Sequence, residues 1–288
     1  MNRPFGEAGV EPLRARFVLV PVPYEKTTTY RKGTAAGPAA LLAAASQVEL
    51  YDEETGTKPL DAGVALLPPV STAGMPDALA DALLAVVKPH LSAGRVVGCL
   101  GGEHSISLGP IRAAARQRKG LGILHIDAHP DLRDEYEGTR FGHGCVMRRV
   151  LEEKGVSKLV QVGLRAVSAD DDAVLRGDPR IRPFYACDLA RKTPAEWIDA
   201  VVEELPPRIY VSIDVDGLDP SVIPGTGTPE PGGLPWWGAL SLLRAALARR
   251  ELVAFDIVEL LPETHSHVSD FAAAKLLFKM LAYAVARR

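Results

Sequence analysis

The chain has 288 residues, of which 47% are hydrophobic, and this length and composition are sufficient for a large buried core. The formal net charge of −3 at pH 7 provides no basic field for nucleic acid, and no stretch approaches the ~18 apolar residues that a transmembrane helix needs. The sequence has no signal-peptide pattern, and its cysteines are odd in number and widely spaced: Cys99, Cys145 and Cys187. These features predict a cytoplasmic protein whose cysteines are reduced core residues.

Strand and helix patterns alternate along the chain after residues 1–15, which we expect to form a flexible N-terminal arm. Apolar and β-branched runs predict eight strands, at 17–22, 63–67, 95–100, 121–126, 158–162, 183–186, 208–213 and 252–258. Helical patterns lie between and after them, at 38–45, 76–91, 106–118, 145–154, 194–204, 235–249 and 268–287. Ser105 is a candidate cap for the third helix, and Thr193 with Glu196 has the capping-box pattern at the start of the fifth.

This alternation predicts an α/β fold, with a parallel sheet of about eight strands covered by helices on both faces. The sequence contains no internal repeat, low-complexity run or linker that would mark a boundary, so we expect one domain over 1–288. Eight βα units are also compatible with a closed barrel, and the hydrophobic periodicity does not decide between the two architectures.

The ends of the third, fourth and seventh predicted strands carry side chains of the types that ligate metals. In two of these segments the carboxylates alternate along the chain, so extended backbone would project them to the same side. If the three strands lie parallel in one sheet, all these groups reach its carboxyl edge, where open α/β sheets place their sites. The six side chains are His104, Asp127, His129, Asp131, Asp214 and Asp216.

Burying four carboxylates and two imidazoles is costly unless they bind a cation, although strand ends that open into solvent are the alternative interpretation. Six ligands are too many for one catalytic zinc, which takes three protein ligands and a water. They suit two ions about 3.5–4 Å apart that share carboxylates. Ligation dominated by oxygen, without thiolate, favours Mn²⁺ over zinc or copper.

Three motifs in this order carry a family resemblance: GGEHS at 101–105, DAHPD at 127–131 and SIDVDGLDP at 212–220. With them, the chain from about Gly33 onward resembles the ureohydrolases, which include arginase, agmatinase and formiminoglutamase. The resemblance implies a doubly wound, three-layer αβα sheet and not a barrel. It also implies two Mn²⁺ ions per subunit and a homo-oligomer, a trimer or a hexamer.

The resemblance further implies a role for each site residue. The first ion would be held by His104, Asp127, Asp131 and Asp214, and the second by His129, Asp127, Asp214 and Asp216. A hydroxide between the ions would be the nucleophile, because two cations lower the pKa of bound water.

Two further residues would act on the substrate by the same resemblance. His143 would protonate the departing amine, and Glu259 would receive the planar guanidinium through paired hydrogen bonds. The alternative for His143 is a solvated residue in a glycine-flanked loop. The remaining imidazoles are interpreted as ordinary core or surface residues, with a contact to a ligating carboxylate as a further possibility for His125.

The segment 132–138 bears on which guanidine is the substrate. It lacks the Asn and Ser that arginases use to bind the amino-acid end of arginine, and it resembles the agmatinases instead. Asp134, Glu135 and Glu137 would suit a cationic tail, although plain loop solubility explains them equally well. Arg133 would instead suit a carboxylate tail, as in guanidinobutyrate or formiminoglutamate. Our hypothesis is a small cationic guanidino substrate, agmatine, hydrolysed to putrescine and urea.

Two alternatives belong to other functional classes. A two-metal phosphoesterase would need basic residues near the metals to hold phosphate, and only Arg133 and Arg140 are candidates. A non-catalytic homologue is the other alternative, and the complete set of ligands and catalytic groups argues against it.

Overall fold

The computed structural model describes residues 4–7, 9–71 and 73–287. Within these ranges the chain forms eight strands: β1 (Phe17–Val22), β2 (Val64–Leu66), β3 (Val96–Gly101), β4 (Leu121–Ile126), β5 (Val156–Leu164), β6 (Ile181–Tyr185), β7 (Arg208–Asp214) and β8 (Glu251–Val258). Every neighbouring pair is parallel, and the order in the sheet is β2-β1-β3-β8-β7-β4-β5-β6. The sheet is open, with β2 and β6 at its edges, so the predicted open sheet is confirmed and the barrel is excluded.

Helices cover both faces of this sheet. Over the described residues the α-helices are α1 (Gly37–Ala45), α2 (Pro76–Ser92), α3 (Leu108–Gln117), α4 (Val146–Val150), α5 (Ala169–Gly177), α6 (Ala186–Leu189), α7 (Pro194–Glu204), α8 (Trp236–Arg249) and α9 (Val268–Ala286). One core contains apolar residues of α1, α7, α8 and α9 together with Phe17 and Leu19 of β1. The other contains residues of α2, α3, α4 and α5 together with Val18 and Val20. Because successive strand residues point to opposite faces, this division shows three layers. None of the helices in the described part of the chain is both long enough and apolar enough to span a membrane.

Local predictions differ from the structure at a few elements. The third helix begins at Leu108, after a 3₁₀ turn over His104–Ser107, and Ser105 does not cap it. Instead the Ser105 hydroxyl donates to Glu103 (2.5 Å), beside the carboxyl edge of the sheet. The capping box of Thr193 is present as predicted. Helix α5 was not predicted, and Cys187, which we expected in the core, is exposed.

The start of the chain is packed where we predicted a flexible arm. Phe5 is only 2% exposed, and its ring centroid lies 5.9 Å from that of Phe278 on α9 in an edge-on arrangement. The backbone N–H of Val10 donates to the carbonyl of Val64 (3.2 Å), which ties this segment to β2. Phe5 and Val10 therefore contact the rest of the fold, and the flexibility expected of residues 1–15 stays a prediction. Residues 1–3 and 8 lie outside the described ranges.

A buried ion cluster joins α9 to the loop that follows α1. Lys279 is 1% exposed, and its Nζ lies 2.7 Å from Asp52 Oδ2 and 2.8 Å from both Glu53 Oε1 and Glu54 Oε1. Tyr283, one turn further along α9, donates its hydroxyl to Glu54 Oε1 (2.7 Å). A buried ammonium needs such partners because desolvation of an isolated charge costs several kcal/mol.

Candidate metal centre and pocket

The four central strands bring the predicted ligands to one edge of the sheet. β3, β8, β7 and β4 are neighbours in that order, and all four point the same way. His104 lies three residues beyond β3, Asp127 follows β4 directly and Asp214 ends β7. The expectation that these segments are parallel and share a carboxyl edge is therefore confirmed.

His104 is the centre of the first group of ligand atoms. Its Nδ1 lies 3.2 Å from Asp127 Oδ2, 3.1 Å from Asp131 Oδ2 and 3.4 Å from Asp214 Oδ2. These four side chains are almost completely buried. Burial opposes protonation of the imidazole, but the nearby carboxylates of Asp127, Asp131 and Asp214 outweigh burial and raise the pKa of His104 well above its usual value.

A second group lies on the other side of Asp127. His129 Nδ1 is 3.4 Å from Asp127 Oδ1 and 3.1 Å from Asp216 Oδ2. Burial lowers the pKa of His129, while the carboxylates of Asp216 and Asp127 raise it, and the balance brings it to about 12. Asp127 thus belongs to both groups. The ligand atoms of His104, His125, Asp127 and Asp131 lie close enough together to hold one metal ion, and those of Asp127, His129 and Asp216 to hold another. The bridging role predicted for Asp214 stays a prediction, because the contact of its Oδ2 atom is with His104 of the first group.

The hydrogen bonds behind His104 show that the first group fits a cation. Ser212 donates its hydroxyl hydrogen to Asp256 Oδ1 (2.8 Å), so its oxygen can only accept from His104 Nε2 (2.9 Å). In the neutral imidazole, Nδ1 then directs a lone pair at three carboxylate oxygens, and this arrangement is repulsive unless a cation lies between them. Consistently, His104 Nδ1 is buried without a hydrogen-bond partner among the described residues.

His125 supports this group from within β4. Its Nε2 lies 2.8 Å from Asp127 Oδ2, and its Nδ1 faces the side-chain amide of Gln161 on β5 (2.8 Å). The Gln161 amide also donates to the carbonyl of Pro130 (2.8 Å), so the same side chain holds the turn after Asp127. The possible contact of His125 with a ligating carboxylate is confirmed, and its position two residues before Asp127 was the signal for it. Gln161 gave no comparable signal.

Two site residues have backbone conformations that L-residues rarely adopt. Asp131 has φ 54° and Glu259 has φ 62°, both in the left-handed region. Such conformations cost about 1–3 kcal/mol each and persist where the surrounding structure holds them. The alternation at 127–131 therefore does not continue as a strand, since β4 ends at Ile126 and a turn brings Asp131 back to His104.

A cavity of about 170 Å³ opens onto both groups of ligands. Glu259 and His143, predicted to act on the substrate, line it, and so do Arg133 and Tyr136. Glu259 is buried, and its Oε1 accepts the backbone N–H of His104 (2.6 Å). Burial raises the pKa of Glu259 well above its usual value, so a cation beside it would favour the ionised form.

The acidic side chains of the loop that supplies Arg133 and Tyr136 do not line this cavity. Asp134, Glu135 and Glu137 are absent from the cavity wall that the described residues form. Asp134 instead pairs with Arg149 (2.5 Å) and Arg140 (2.9 Å). These carboxylates thus do not line the cavity, and their electrostatic effect on a cationic tail stays a prediction beside the alternative of loop solubility.

Comparison with known proteins agrees with the geometry of the site. A model of the Arginase family matches residues 15–282. The chain is 40% identical over 277 residues to the N(1)-aminopropylagmatine ureohydrolase of Synechocystis sp., with 93% of this chain and 89% of that protein covered. It is 33% identical to the agmatinase of Pyrococcus horikoshii, with 93% and 91% covered. The crystal structure of the agmatine ureohydrolase of Thermoplasma volcanium superposes with a TM-score of 0.86 at 30% identity, covering 96% of this chain and 92% of that one. The chain therefore belongs to the arginase family and is a hydrolase of guanidino C–N bonds.

Proposed function

We propose that the protein hydrolyses a linear guanidine with a cationic tail, agmatine or N(1)-aminopropylagmatine, to urea and the corresponding amine. The observation that supports this most directly is that one cavity joins both groups of ligands to Glu259 and His143. The relatives from Synechocystis sp. and Pyrococcus horikoshii carry the names of these two activities. Agmatine would give putrescine, and the aminopropyl derivative would give a longer polyamine.

The proposed reaction needs a group that binds the guanidinium and a group that moves a proton. Hydrolysis adds the oxygen of water to the guanidinium carbon and transfers both hydrogens of that water to the departing nitrogen. Glu259 binds the cation and fixes its position by charge-assisted hydrogen bonds. His143 carries one proton to the nitrogen, because an amine leaves readily only when protonated. Two divalent ions, when bound, supply the Lewis acidity that ionises water near neutral pH.

His104, Asp127, Asp131 and Asp214 would hold one ion, and His129, Asp127, Asp214 and Asp216 the other. We propose Mn²⁺ for both, because four of these six side chains are carboxylates and none is a thiolate. The proposal includes a place in polyamine biosynthesis, a cytoplasmic location and a homo-oligomer, a trimer or a hexamer. Release of urea from a guanidine is an activity that neither a phosphoesterase nor a non-catalytic homologue would show.

A carboxylate-tailed guanidine such as guanidinobutyrate is the second candidate. Arg133 lines the cavity, and its guanidinium lies 4.1 Å from the centre of the Tyr136 ring. A cation held on an aromatic face at the cavity wall suits a substrate carboxylate. Asp171, which also lines the cavity and is 4% exposed, supplies negative charge there and favours the cationic tail instead.

A substrate panel tests the proposal. Protein stripped of metal and reconstituted with Mn²⁺ is assayed for urea from agmatine, N(1)-aminopropylagmatine, guanidinobutyrate and arginine. We expect kcat/KM to be highest for one of the first two, and His129→Asn to lower both Mn²⁺ content and activity. His265→Asn, at an exposed position outside the cavity, is the matched control. Preferred turnover of guanidinobutyrate or arginine would contradict the assigned tail while leaving the reaction class intact.

A further inference from the structure

Thr27 lies between the buried Glu103 and the proposed proton carrier His143. Its hydroxyl oxygen is 2.7 Å from Glu103 Oε1 and 3.2 Å from His143 Nδ1. The same oxygen accepts the backbone N–H of His143 (3.0 Å). The three residues come from separate parts of the chain, the loop after β1, the end of β3 and the turn before α4, so the fold brings them together.

The hydrogen bonds of Glu103 determine the direction of this chain of contacts. Glu103 is 0% exposed, and its Oε2 accepts the backbone N–H groups of Lys26 (2.5 Å) and Thr27 (2.6 Å), which can only donate. Its Oε1 is approached by the hydroxyls of Ser105 (2.5 Å) and Thr27 (2.7 Å). A carboxylate is acceptor-only, so both hydroxyls donate to it.

The direction at Glu103 fixes the direction at His143. Thr27 has one hydroxyl hydrogen, and once Glu103 receives it the Thr27 oxygen can only accept. The remaining contact of that oxygen is with His143 Nδ1, which must therefore carry a hydrogen. In the neutral imidazole the other nitrogen, Nε2, then has a free lone pair. His143 lines the cavity, and Nε2 is its ring nitrogen that does not contact Thr27.

We infer that Glu103 and Thr27 are positioning residues that hold neutral His143 as the Nδ1–H tautomer, so that Nε2 is the atom that takes up and delivers the proton. This inference rests on the proposed function, since it assigns an atom to the proton transfer in that reaction. A general acid must deliver its proton from a nitrogen that reaches the substrate, and that nitrogen must first accept the proton through a lone pair. In the Nε2–H tautomer of neutral His143, Nε2 already carries a hydrogen and has no lone pair for this step.

The isosteric substitution Glu103→Gln gives the inference a distinctive test. The two backbone N–H groups at Oε2 require an acceptor, so the Gln carbonyl oxygen takes that place and its NH₂ group faces Thr27 and Ser105. The Thr27 oxygen then accepts from this NH₂ group and is free to donate its own hydrogen to His143 Nδ1. Glu103→Gln is therefore expected to reverse the tautomer of neutral His143.

The first measurement is the ¹⁵N NMR spectrum of histidine-labelled, metal-free protein, at a pH where the His143 ring is neutral. The spectrum has seven histidines, and His143→Asn identifies the one of interest. We expect protonated Nδ1 in the wild type and in Thr27→Ser, and protonated Nε2 in Glu103→Gln. An Nε2–H tautomer in the wild type, or the same tautomer in the wild type and Glu103→Gln, would overturn the inference.

The second measurement is the activity of Mn²⁺-reconstituted variants. Thr27→Val keeps the shape of the side chain but lacks the hydroxyl, and we expect it and Glu103→Gln to lower kcat about 100-fold with little change in KM. Thr27→Ser restores the hydroxyl and should retain kcat within about threefold of the wild type, as should the exposed control Thr264→Val. Unchanged kcat in Thr27→Val would overturn the inference. The NMR measurement does not require that the wild type hydrolyses guanidines, so failure of the proposed function is detected separately. The NMR comparison of the wild type with Glu103→Gln is also independent of whether Thr27→Val folds.

Discussion

Replacing Ser212 by Ala should weaken binding of the ion at His104 without touching any ligand. In the wild type, Ser212 accepts the Nε2–H of His104 (2.9 Å) and thereby keeps the Nδ1 lone pair directed at the carboxylates. Without that acceptor, the Nε2–H group of His104 loses its hydrogen-bond partner. The ion-bound form then buries an N–H group without a partner.

The size of the effect follows from the burial of the pair. Ser212 is 0% and His104 1% exposed, so water cannot replace the lost acceptor. An unsatisfied buried donor costs about 1–3 kcal/mol, and loss of a group that orients a metal-ligating histidine typically lowers affinity about 10- to 100-fold. These two ranges agree, since a tenfold change in affinity corresponds to about 1.4 kcal/mol.

The assay is a calorimetric titration of metal-free protein with Mn²⁺. Ser269→Ala is the matched control, because Ser269 is equally buried and accepts one backbone N–H, from Gly225 (2.8 Å), away from the ligands. We expect the Mn²⁺ affinity to fall in Ser212→Ala only, while urea unfolding shows comparable stability losses in both. Unchanged Mn²⁺ affinity in Ser212→Ala, or an equal loss in the control, would refute the reasoning.

Three further predictions concern the buried charges. Lys279→Met leaves Asp52 buried without its cation and should lower the free energy of unfolding by about 3–5 kcal/mol in urea titrations. Lys275→Met, which loses a contact with the Phe278 ring and a weaker attraction to Glu53, should cost under about 1 kcal/mol, and equal losses would contradict this. Burial raises the pKa of Asp52, but hydrogen bonds from Lys279 and Thr55 outweigh it and lower that pKa. The contribution of Asp52 to stability is therefore complete above its unfolded pKa of about 3.9 and is lost as pH falls through the lower folded pKa. The urea concentration at the unfolding midpoint should therefore decrease when the pH is lowered below about 4, and it should decrease less in Asp52→Asn. Glu259→Gln should lower kcat/KM about 10- to 100-fold at unchanged Mn²⁺ content, because it removes the charge from the hydrogen bonds to the guanidinium, and a kcat/KM equal to that of the wild type would argue against this role.

Much of the sheet could be predicted because its strands are short apolar runs with clear ends. The run at 121–126 stops at the first carboxylate, and β4 ends at Ile126 as expected. Helix α7 was predictable because its capping box is local, with both partners three residues apart. Helix α5 was missed although Ser168 forms a capping box with Asp171, because Asp at this position is a weaker signal than Glu or Gln and the helix is short.

The contacts that orient the site were beyond sequence reasoning for a physical reason. Thr27 and His143 are 116 positions apart, and no hydrophobic period links a loop threonine to a distant imidazole. The left-handed turn at Asp131 was also hidden, because alternating ligands suggest an extended backbone and tertiary contacts overrode that local pattern. The packing of Phe5 was hidden as well, because its partner Phe278 lies near the opposite end of the chain.

The order of the strands in the sheet has a consequence for the growing chain on the ribosome. β3 and β4 are made early, yet β8 and β7 lie between them in the finished sheet. A nascent chain that ends before Arg208 therefore carries His104 and Asp127 on strands that have no common neighbour, and Asp214 does not yet exist. The cation can bind only after β7 and β8 have inserted between β3 and β4, so metal binding occurs when synthesis of the chain is nearly complete.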